Sequence, residues 1–265
     1  MKLAFIGGGM MAEAVIAGVL RERVLPAADI FVSEHKMARV EELRTKYSVQ
    51  AFGSAEIFLK DMDVVFLAVK PQAAQAALQE LAGQMRADAL LVSIVAGLPL
   101  RKLEALLPAQ AIIRVMPNTP LSVGAGMSAY ALGSQASEAH EEKVRAILAA
   151  AGKVVCLKEE LLDAVTGLSG SGPAFAFLAI DALADGGVAA GLPRKDALLL
   201  AAQTLLGAAK MVLDTGRHPD ELRDQVTSPA GTTIAGLRVL EERAVRGAFL
   251  DAVLSAAEKS KSLGE

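Results

Sequence analysis

The N-terminal segment joins a short apolar strand, a glycine-rich turn and an alanine-rich helix without a break. Residues 2–6 read as a buried parallel strand. Directly after them, Gly7, Gly9 and Ala12 form the pattern G-x-G-x-x-A, the alanine-ending variant of the dinucleotide-binding fingerprint. The two glycines let the backbone approach a pyrophosphate, and the alanine lets helix and strand pack closely. Because the pattern follows a first strand, it predicts a Rossmann-type domain.

The rest of the N-terminal half alternates apolar strands with helices, which is typical of a parallel α/β sheet. Further strands are predicted at 29–33, 49–52, 63–69, 89–95 and 111–115, and edge strands at 124–131 and 153–157. Helices are predicted at 37–46, 55–60, 73–85, 100–106 and 137–151. The fold class is therefore α/β, with a dinucleotide-binding domain over residues 1–160.

Charged residues follow the second predicted strand. Glu34 stands where this fold places an acid that binds the ribose of a dinucleotide. His35, Lys36 and Arg39 come next and could instead favour a 2′-phosphate, or could simply be solvent-exposed charges at a helix start. We therefore expect use of both NADPH and NADH.

Two other polar residues end predicted strands. Lys70 follows the strand at 63–69, and Asn118 follows the strand at 111–115. Ligands of open α/β sheets bind at the carboxyl ends of strands, so both residues are candidates for cofactor binding. Lys70 is equally well explained as an ordinary lysine at the start of a helix.

After about residue 160 the strands stop and helices predominate. The stretch TGLSGSGPAFAFLAID predicts a Gly/Ser turn followed by a helix that is apolar on most sides, and residues 196–214 behave in the same way. Helices that are apolar all round must be buried all round. We therefore expect residues 161–265 to form a helical dimerisation and substrate domain that packs against a second copy, although a large core within one chain is the alternative.

The stretch TSPAGTT within this second domain predicts a tight turn that leads into a helix. Pro229 ends the preceding element, and Gly231 gives a flexible backbone ahead of Thr232 and Thr233, which stand where a helix would be capped. The N–H groups of such a turn and the positive end of the helix dipole could bind a small carboxylate. An ordinary capped helix is the alternative.

Composition excludes several classes of function. The net charge is −3 and aromatic residues are only 4% of the chain, so a nucleic-acid-binding surface is absent. A single cysteine, Cys156, and three scattered histidines favour neither a disulfide nor a metal site, and we expect a cytoplasmic protein with no bound metal. No run of 18 uninterrupted apolar residues predicts a membrane span.

The spacing of reactive residues suggests no Ser-His-Asp set, carboxylate pair or Cys-His pair. A dinucleotide site combined with Gly/Ser/Thr turns suits hydride transfer, in which the cofactor supplies the difficult chemistry. Hydride addition to a C=O usually needs an acid beside the oxygen. Addition to a C=N⁺ does not, because the iminium already carries the activating charge, so an imine is the better substrate.

Five motifs, in order and spacing, resemble those of pyrroline-5-carboxylate reductase: GGGMMA, AVKPQ, MPNTP, GLSGSGPAF and TSPAGTTIAGL. The resemblance covers essentially the whole chain. It implies reduction of 1-pyrroline-5-carboxylate to L-proline with NADPH or NADH, the last step of proline biosynthesis. It also implies a helical C-terminal domain that dimerises, with both subunits shaping the active site, and possible further assembly.

The resemblance also implies which residues form the site. The cofactor residues are Gly7, Gly8, Gly9, Met10, Met11, Ala12, Ala68, Val69, Lys70, Pro71 and the Asn118 region, beside the Glu34 already singled out. The substrate residues are Ser228, Ala230, Gly231, Thr232 and Thr233, with the Thr233 hydroxyl on the ring nitrogen as the catalytic contact.

Three positions depart from the family pattern. Met10 stands where asparagine is common, Ala230 where glycine is common, and Glu34 where many members have a small polar residue. Met10 removes a polar side chain from the cofactor turn, and Ala230 resists any conformation that requires glycine. Glu34 leaves the choice between NADPH and NADH open.

Two other functions fit the same scaffold. A 3-hydroxyacid dehydrogenase also joins a Rossmann domain to helices, but it uses a lysine in a glycine-rich helix that TGLSGSGPAFAFLAID lacks. A non-catalytic nucleotide sensor is not excluded by the fold. The TSPAGTT turn argues against a sensor, since a sensor has no need of a substrate site.

Overall fold

The computed structural model describes residues 1–264 and divides into two compact units. The first consists of Met1–Ser171 together with the chain from Ser255 onward, and the second of Gly172–Leu254. The first unit contains the β-sheet, and the second is helical.

The sheet has eight strands in the order β3-β2-β1-β4-β5-β6-β7-β8. Strands β1 to β6 are parallel, β7 is antiparallel to β6, and β8 is parallel to β7. Their bounds are β1 (Leu3–Ile6), β2 (Ile30–Ser33), β3 (Gln50–Phe52), β4 (Val64–Leu67), β5 (Leu90–Ser93), β6 (Ala111–Met116), β7 (Gly126–Leu132) and β8 (Gly152–Cys156). The order 3-2-1-4-5-6 is that of a Rossmann domain, and the predicted fold class is confirmed.

Helices cover both faces of this sheet, as a parallel sheet requires. Alternate residues of β1 face opposite cores: Leu3 and Phe5 pack with α1 (Met10–Arg21), α2 (Met37–Tyr47) and α5 (Glu138–Ala149). Ala4 and Ile6 face the other core, with α3 (Pro71–Leu81), α4 (Leu100–Leu106) and α6 (Leu162–Val165). In such sheets ligands bind at the carboxyl ends of the parallel strands.

The Gly/Ser stretch predicted to be a turn is helical instead, so that prediction is wrong. Residues Thr166–Gly170 form a π-helical segment directly after α6, in which the Ser171 N–H donates to the Thr166 carbonyl at 2.8 Å. A Cβ at Gly170 would lie 2.5 Å from Cε of Met116. The glycine therefore lets a helix pass close to the end of β6, which is a packing role and not a turning role.

The predicted helix at 55–60 is also wrong, because only a short 3₁₀ turn, Leu59–Asp61, forms there. Phe58 and Leu59 of this connection are nearly fully buried. Packing of these two side chains into the core, rather than helical propensity, determines the local backbone.

The second unit is built from helices with exposed apolar surfaces. They are α7 (Gly172–Ala189), α8 (Arg194–Thr215), α9 (Pro219–Gln225), α10 (Thr232–Glu242) and most of α11 (Val245–Gly264). Helices α7 and α8 pack on each other through small residues, Ala184, Ala197 and Ala201.

Much larger side chains on these two helices face away from the described chain. Phe177, Leu178, Leu199 and Leu213 are each more than 60% exposed. By length and composition alone, the stretches Glu159–Ala189 and Arg194–Thr215 could cross a membrane, and 6% and 11% of their most apolar windows are buried. This is weak evidence for a span, because an apolar protein interface gives the same signal.

Candidate functional site

A cavity of about 620 Å³ opens at the carboxyl ends of β1, β2 and β4. Its walls come from the fingerprint turn, from the segment after β2 and from the start of α3. The predicted cofactor residues that line it are Gly7, Gly8, Gly9, Met10, Glu34, Ala68, Val69 and Lys70. It lies where β1 separates the two halves of the strand order, which is the crevice that binds dinucleotides in this fold.

The three glycines of the fingerprint turn have different tasks. Gly7 has a φ of +99°, and a Cβ there would lie 2.7 Å from the Ala68 carbonyl oxygen. A Cβ at Gly8 would lie 2.8 Å from Cδ1 of Leu43. At Gly9 a Cβ would meet nothing within 4 Å, so this residue faces open space. Gly7 and Gly8 thus keep the turn close to the sheet, while Gly9 leaves room for a ligand.

Gly9 is also the N-cap of α1, and no side chain caps that helix. The first N–H groups of an α-helix have no partner within the helix. At the N-terminus of α1 these donors and the helix dipole are available to an anion such as a pyrophosphate. The residues present therefore fit a dinucleotide.

Access to the cavity differs among Met10, Met11 and Ala12. Met10 begins α1 and is 79% exposed at the cavity wall. Met11 packs away from the cavity, against Ala14 and Leu121. Ala12 is fully buried against the sheet, as a residue that allows close helix–strand packing must be. Direct contact with a cofactor is therefore open to Met10 alone of these three side chains.

Glu34 extends back from the end of β2 to the fingerprint turn. One carboxylate oxygen accepts a hydrogen bond from the Gly8 N–H at 3.1 Å, and the other accepts one from the Lys36 N–H at 3.0 Å. The side chain thus spans the part of the cavity between β1 and β2. This is the position that the sequence predicts for a ribose-binding acid.

Beside this carboxylate, Arg39 and Glu13 form an ion pair that the sequence alone does not predict. The Arg39 guanidinium hydrogen-bonds the Glu13 carboxylate, forms a 2.8 Å ion pair with Glu42, and donates from Nε to the Gly8 carbonyl at 2.9 Å. Lys46 also donates to Glu13, at 2.8 Å. The partners come from two helices, and no local pattern in the sequence pairs them.

Glu13 is held in its charged form by this network. Burial alone would raise its pKa, but hydrogen bonds from Arg39, Lys46 and Tyr47 outweigh burial and lower the pKa from 4.5 to about 2. Both Glu13 and Arg39 side chains are less than 20% exposed. The pair is therefore fixed in place at neutral pH.

Lys70 stands at the opposite wall of the cavity, and Pro71 follows it in the chain without lining the cavity. Lys70 is the exposed N-cap of α3, and Pro71 is the first helical residue, where its missing N–H leaves no donor unsatisfied. Ala68 is fixed by a 2.8 Å hydrogen bond from its N–H to the Ile6 carbonyl. Ala68 and Lys70 continue the cavity from β1 across to β4.

Asn118 lies outside the lining of this cavity, and its side chain is hydrogen-bonded within the protein. Its amide nitrogen donates to the Ser169 carbonyl at 3.2 Å, and its amide oxygen accepts from the Met127 N–H at 2.8 Å. These contacts join the end of β6 to the π-helical segment and to β7. A cofactor contact of the Asn118 side chain stays a prediction.

The turn at Ser228–Gly231 in the second unit leads into α10. The Gly231 N–H donates to the Ser228 carbonyl at 3.1 Å, and Gly231 is the N-cap of the helix. Thr232 and Thr233 are therefore the first and second helical residues, and the prediction that they cap the helix is wrong. Neither provides a side-chain capping bond. The free N–H groups of this first turn can bind a carboxylate.

Ala230 adopts the backbone conformation that its side chain disfavours. Its φ is +55°, in the left-handed region where glycine is the usual residue. Alanine at this position therefore strains the turn without preventing it. Gly231 has an ordinary φ of −78°, but a Cβ there would lie 2.2 Å from the Ser228 hydroxyl oxygen. Limited space beside Ser228, and not dihedral freedom, is what favours glycine at residue 231.

Two family models match this chain. The model for pyrroline-5-carboxylate reductase dimerisation matches residues 159–263, and the model for NADP oxidoreductase, coenzyme F420-dependent, matches residues 2–97. Among known proteins, the chain is 46% identical over 264 residues to the pyrroline-5-carboxylate reductase of Arabidopsis thaliana, covering 100% of this chain and 96% of that protein. It is 44% identical to that of Methanosarcina acetivorans, with 100% and 98% coverage.

Solved structures of pyrroline-5-carboxylate reductases have the same fold as this chain. The pyrroline-5-carboxylate reductase of Coxiella burnetii is 32% identical with a TM-score of 0.91, covering 100% of this chain and 98% of that one. The Plasmodium falciparum pyrroline carboxylate reductase, solved with NADP bound, is 31% identical with a TM-score of 0.90 and the same coverage.

Proposed function

The chain belongs to the pyrroline-5-carboxylate reductase family, and we propose that it reduces 1-pyrroline-5-carboxylate to L-proline with NADPH or NADH, the last step of proline biosynthesis. The observation that carries this proposal is the pairing, in one chain, of a fingerprint-lined cavity with an uncapped helix start bearing two threonines. A nucleotide sensor would need only the first of these sites.

The cofactor binds in the cavity of the first unit. Gly7, Gly8 and Gly9 would let a pyrophosphate approach the N-terminus of α1, and Glu34, which lines the same cavity, would bind the ribose. When bound there, the reduced nicotinamide supplies the hydride that adds to the imine carbon of the substrate. Lys70 and the backbone of Ala68 and Val69 complete the opposite wall. The further proposed cofactor residues are Met10, which lines the cavity, and Met11, Ala12, Pro71 and Asn118, which lie outside its lining.

The substrate carboxylate binds at the turn formed by Ser228, Ala230 and Gly231 and at the backbone N–H groups of Thr232 and Thr233. The Thr233 hydroxyl contacts the ring nitrogen. It accepts a hydrogen bond from the protonated imine and donates one to the lone pair of the amine product, because a hydroxyl can do either. No residue with a tuned pKa is needed, since the iminium carries the activating charge.

Residues 1–160 act as the cofactor domain and residues 161–265 as the dimerisation and substrate domain. The dimerisation family match over residues 159–263 supports this division and a homodimer or larger homo-oligomer. The single cysteine supports a cytoplasmic location. No nucleic acid, membrane or metal takes part in this function.

Steady-state kinetics with identified product test the proposal. The purified protein should form one proline for each NADPH or NADH oxidised when pyrroline-5-carboxylate is supplied. Gly231→Val should raise the substrate KM beyond the measurable range, because the added carbons collide with Ser228. The cofactor Kd of that variant serves as the internal control and should stay at the parent value, whereas its melting temperature should fall because Gly231 is the N-cap of α10. Tight cofactor binding without proline formation would contradict the proposed reaction.

A further inference from the structure

We propose that this chain prefers NADH to NADPH, and that Glu13 enforces this preference together with Glu34 by keeping Arg39 away from the ribose. The inference rests on the proposed function and specifies which of the two cofactors the same site selects. It concerns the end of the cavity between β1 and β2, where the two cofactors differ by a single 2′-phosphate.

Glu34 is the first obstacle to a 2′-phosphate. Its carboxylate lies against the fingerprint turn, with one oxygen 3.1 Å from the Gly8 nitrogen and the other 3.0 Å from the Lys36 nitrogen. A carboxylate accepts a hydrogen bond from a ribose 2′-hydroxyl, but it repels a phosphate at the same place. The two backbone donors fix its position before any ligand arrives.

Arg39 is the side chain that could offset that repulsion, but other partners engage it. Its guanidinium contacts carboxylates of Glu13 and Glu42, and its Nε donates to the Gly8 carbonyl at 2.9 Å. Glu13 is itself held by Lys46 and Tyr47. To reach a 2′-phosphate, Arg39 would have to break these charge-assisted bonds, which are the stronger class of hydrogen bond.

The charge balance of the whole cavity acts in the same direction. Its lining carries four carboxylates, from Glu13, Glu34, Glu56 and Glu80, against the three cations of Lys36, Arg39 and Lys70. These seven side chains give the cavity a net negative charge before a dinucleotide enters. Lys36 is the one cation beside Glu34 that remains for a phosphate, since Lys70 stands at the opposite wall.

The Gly8 peptide connects the two carboxylates. Glu34 accepts from its N–H on one side, and Arg39 donates to its C=O on the other. Glu13 accepts a hydrogen bond from Arg39. It therefore acts as a positioning residue for the fingerprint turn and for the guanidinium charge near the proposed ribose site. Because Arg39 already lines the cavity, removing the Glu13 charge should free its guanidinium to turn toward a 2′-phosphate.

The test compares kcat/KM and Kd for NADH and NADPH in the parent and in four variants. The parent should favour NADH by about tenfold or more, the scale of one charged hydrogen bond. Glu34→Ser should move the ratio toward NADPH by about tenfold, and Glu13→Gln should move it the same way by a few-fold. The double variant should exceed either single one. The matched control is Glu41→Gln. Glu41 is an exposed acid on α2, the helix that carries Arg39, and it pairs with Arg44, so its loss should leave the ratio unchanged.

The outcomes separate this inference from the proposed function. A parent enzyme that favours NADPH, or an unchanged ratio in Glu34→Ser, would overturn the preference. A Glu13→Gln variant whose ratio equals that of the parent would overturn the role of Glu13. If proline is never formed but NADH still binds more tightly than NADPH, the proposed reaction fails while the cofactor preference stands.

Discussion

Ala230, like Ala244, has a left-handed φ that its side chain disfavours. A left-handed φ costs an ordinary residue about 1–2 kcal/mol, so Ala230→Gly should relieve strain. The extra freedom of glycine in the unfolded chain offsets about 0.4–1 kcal/mol of that gain. We expect the free energy of unfolding to stay level or rise by up to about 1.6 kcal/mol.

Ala209→Gly is the matched control, since Ala209 is an exposed residue inside α8. It should lose about 0.5–1 kcal/mol, the usual cost of glycine within a helix. Urea unfolding of both variants gives the comparison. A loss at residue 230 as large as that at residue 209 would mean that Ala230 is not strained.

Thr233 carries the proposed contact with the reacting nitrogen, and Thr233→Val removes only its hydroxyl. We expect kcat/KM to fall between several-fold and about a hundredfold, which corresponds to one unmade hydrogen bond of about 1–3 kcal/mol. The cofactor Kd should not change. Steady-state kinetics and the melting temperature are measured on the same preparation.

The melting temperature separates the two roles open to Thr233. Gly231, not Thr233, is the N-cap of α10, so the valine variant should keep the parent melting temperature. Thr204→Val removes a hydroxyl from α8 and should leave kcat/KM at the parent value. A Thr233→Val variant with full activity and a lowered melting temperature would assign Thr233 to stability alone.

At the scale of elements, Glu13 joins α1 to α2 through Arg39, Lys46 and Tyr47. Its pKa of about 2 lies below the ordinary 4.5, so the charged form is favoured in the folded state. Its stabilising contribution is complete above about pH 4.5 and is lost as the pH falls toward 2. The size of the effect is about 1.5–3 kcal/mol, as for a hydrogen bond to a charged group.

Glu13→Gln imitates the protonated acid and should lose this contribution at neutral pH. The free energy of unfolding of the parent should exceed that of the variant at pH 7. The difference should shrink as the pH falls from 4.5 toward 2. Urea titrations at several pH values measure it. A difference that does not depend on pH would show that the carboxylate charge of Glu13 contributes nothing.

The elements of the first unit were largely predictable, and the reason lies in their apolar patterns. Helix α4 forms over the residues predicted, 100–106, and each predicted strand has a counterpart in the sheet. A local run of apolar residues predicts a buried strand. The Thr166–Gly170 segment was not predictable, because a glycine that turns a chain and a glycine that allows close packing look alike in sequence.

The candidate site was predictable only where its residues share a local motif. The fingerprint glycines and Glu34 line the cavity as expected. The contact between Arg39 and Glu13 joins residues 26 positions apart on different helices, and nothing local in the sequence marks it. The N-cap of α10 is Gly231 and not the predicted Thr232, and this likewise depends on the exact backbone of the turn.

At the scale of the whole molecule, the apolar surface of the second unit predicts an obligate dimer or a larger assembly. Leu178, Leu199 and Leu213 are each close to 70% exposed in the isolated chain, and exposed apolar patches of this kind mark interfaces. Light scattering should give at least twice the 27.5 kDa chain mass at low micromolar concentration. A stable, active monomer would rule the prediction out.

The central claim is hydride transfer to the imine carbon of pyrroline-5-carboxylate, and an isotope measurement tests it most directly. The protein is supplied with pyrroline-5-carboxylate and with NADH that carries deuterium at both C4 positions of the nicotinamide. Mass spectrometry and NMR of the product should show proline with one deuterium, bonded to the ring carbon that was the imine carbon. Unlabelled proline, or oxidised cofactor without proline, would contradict the account.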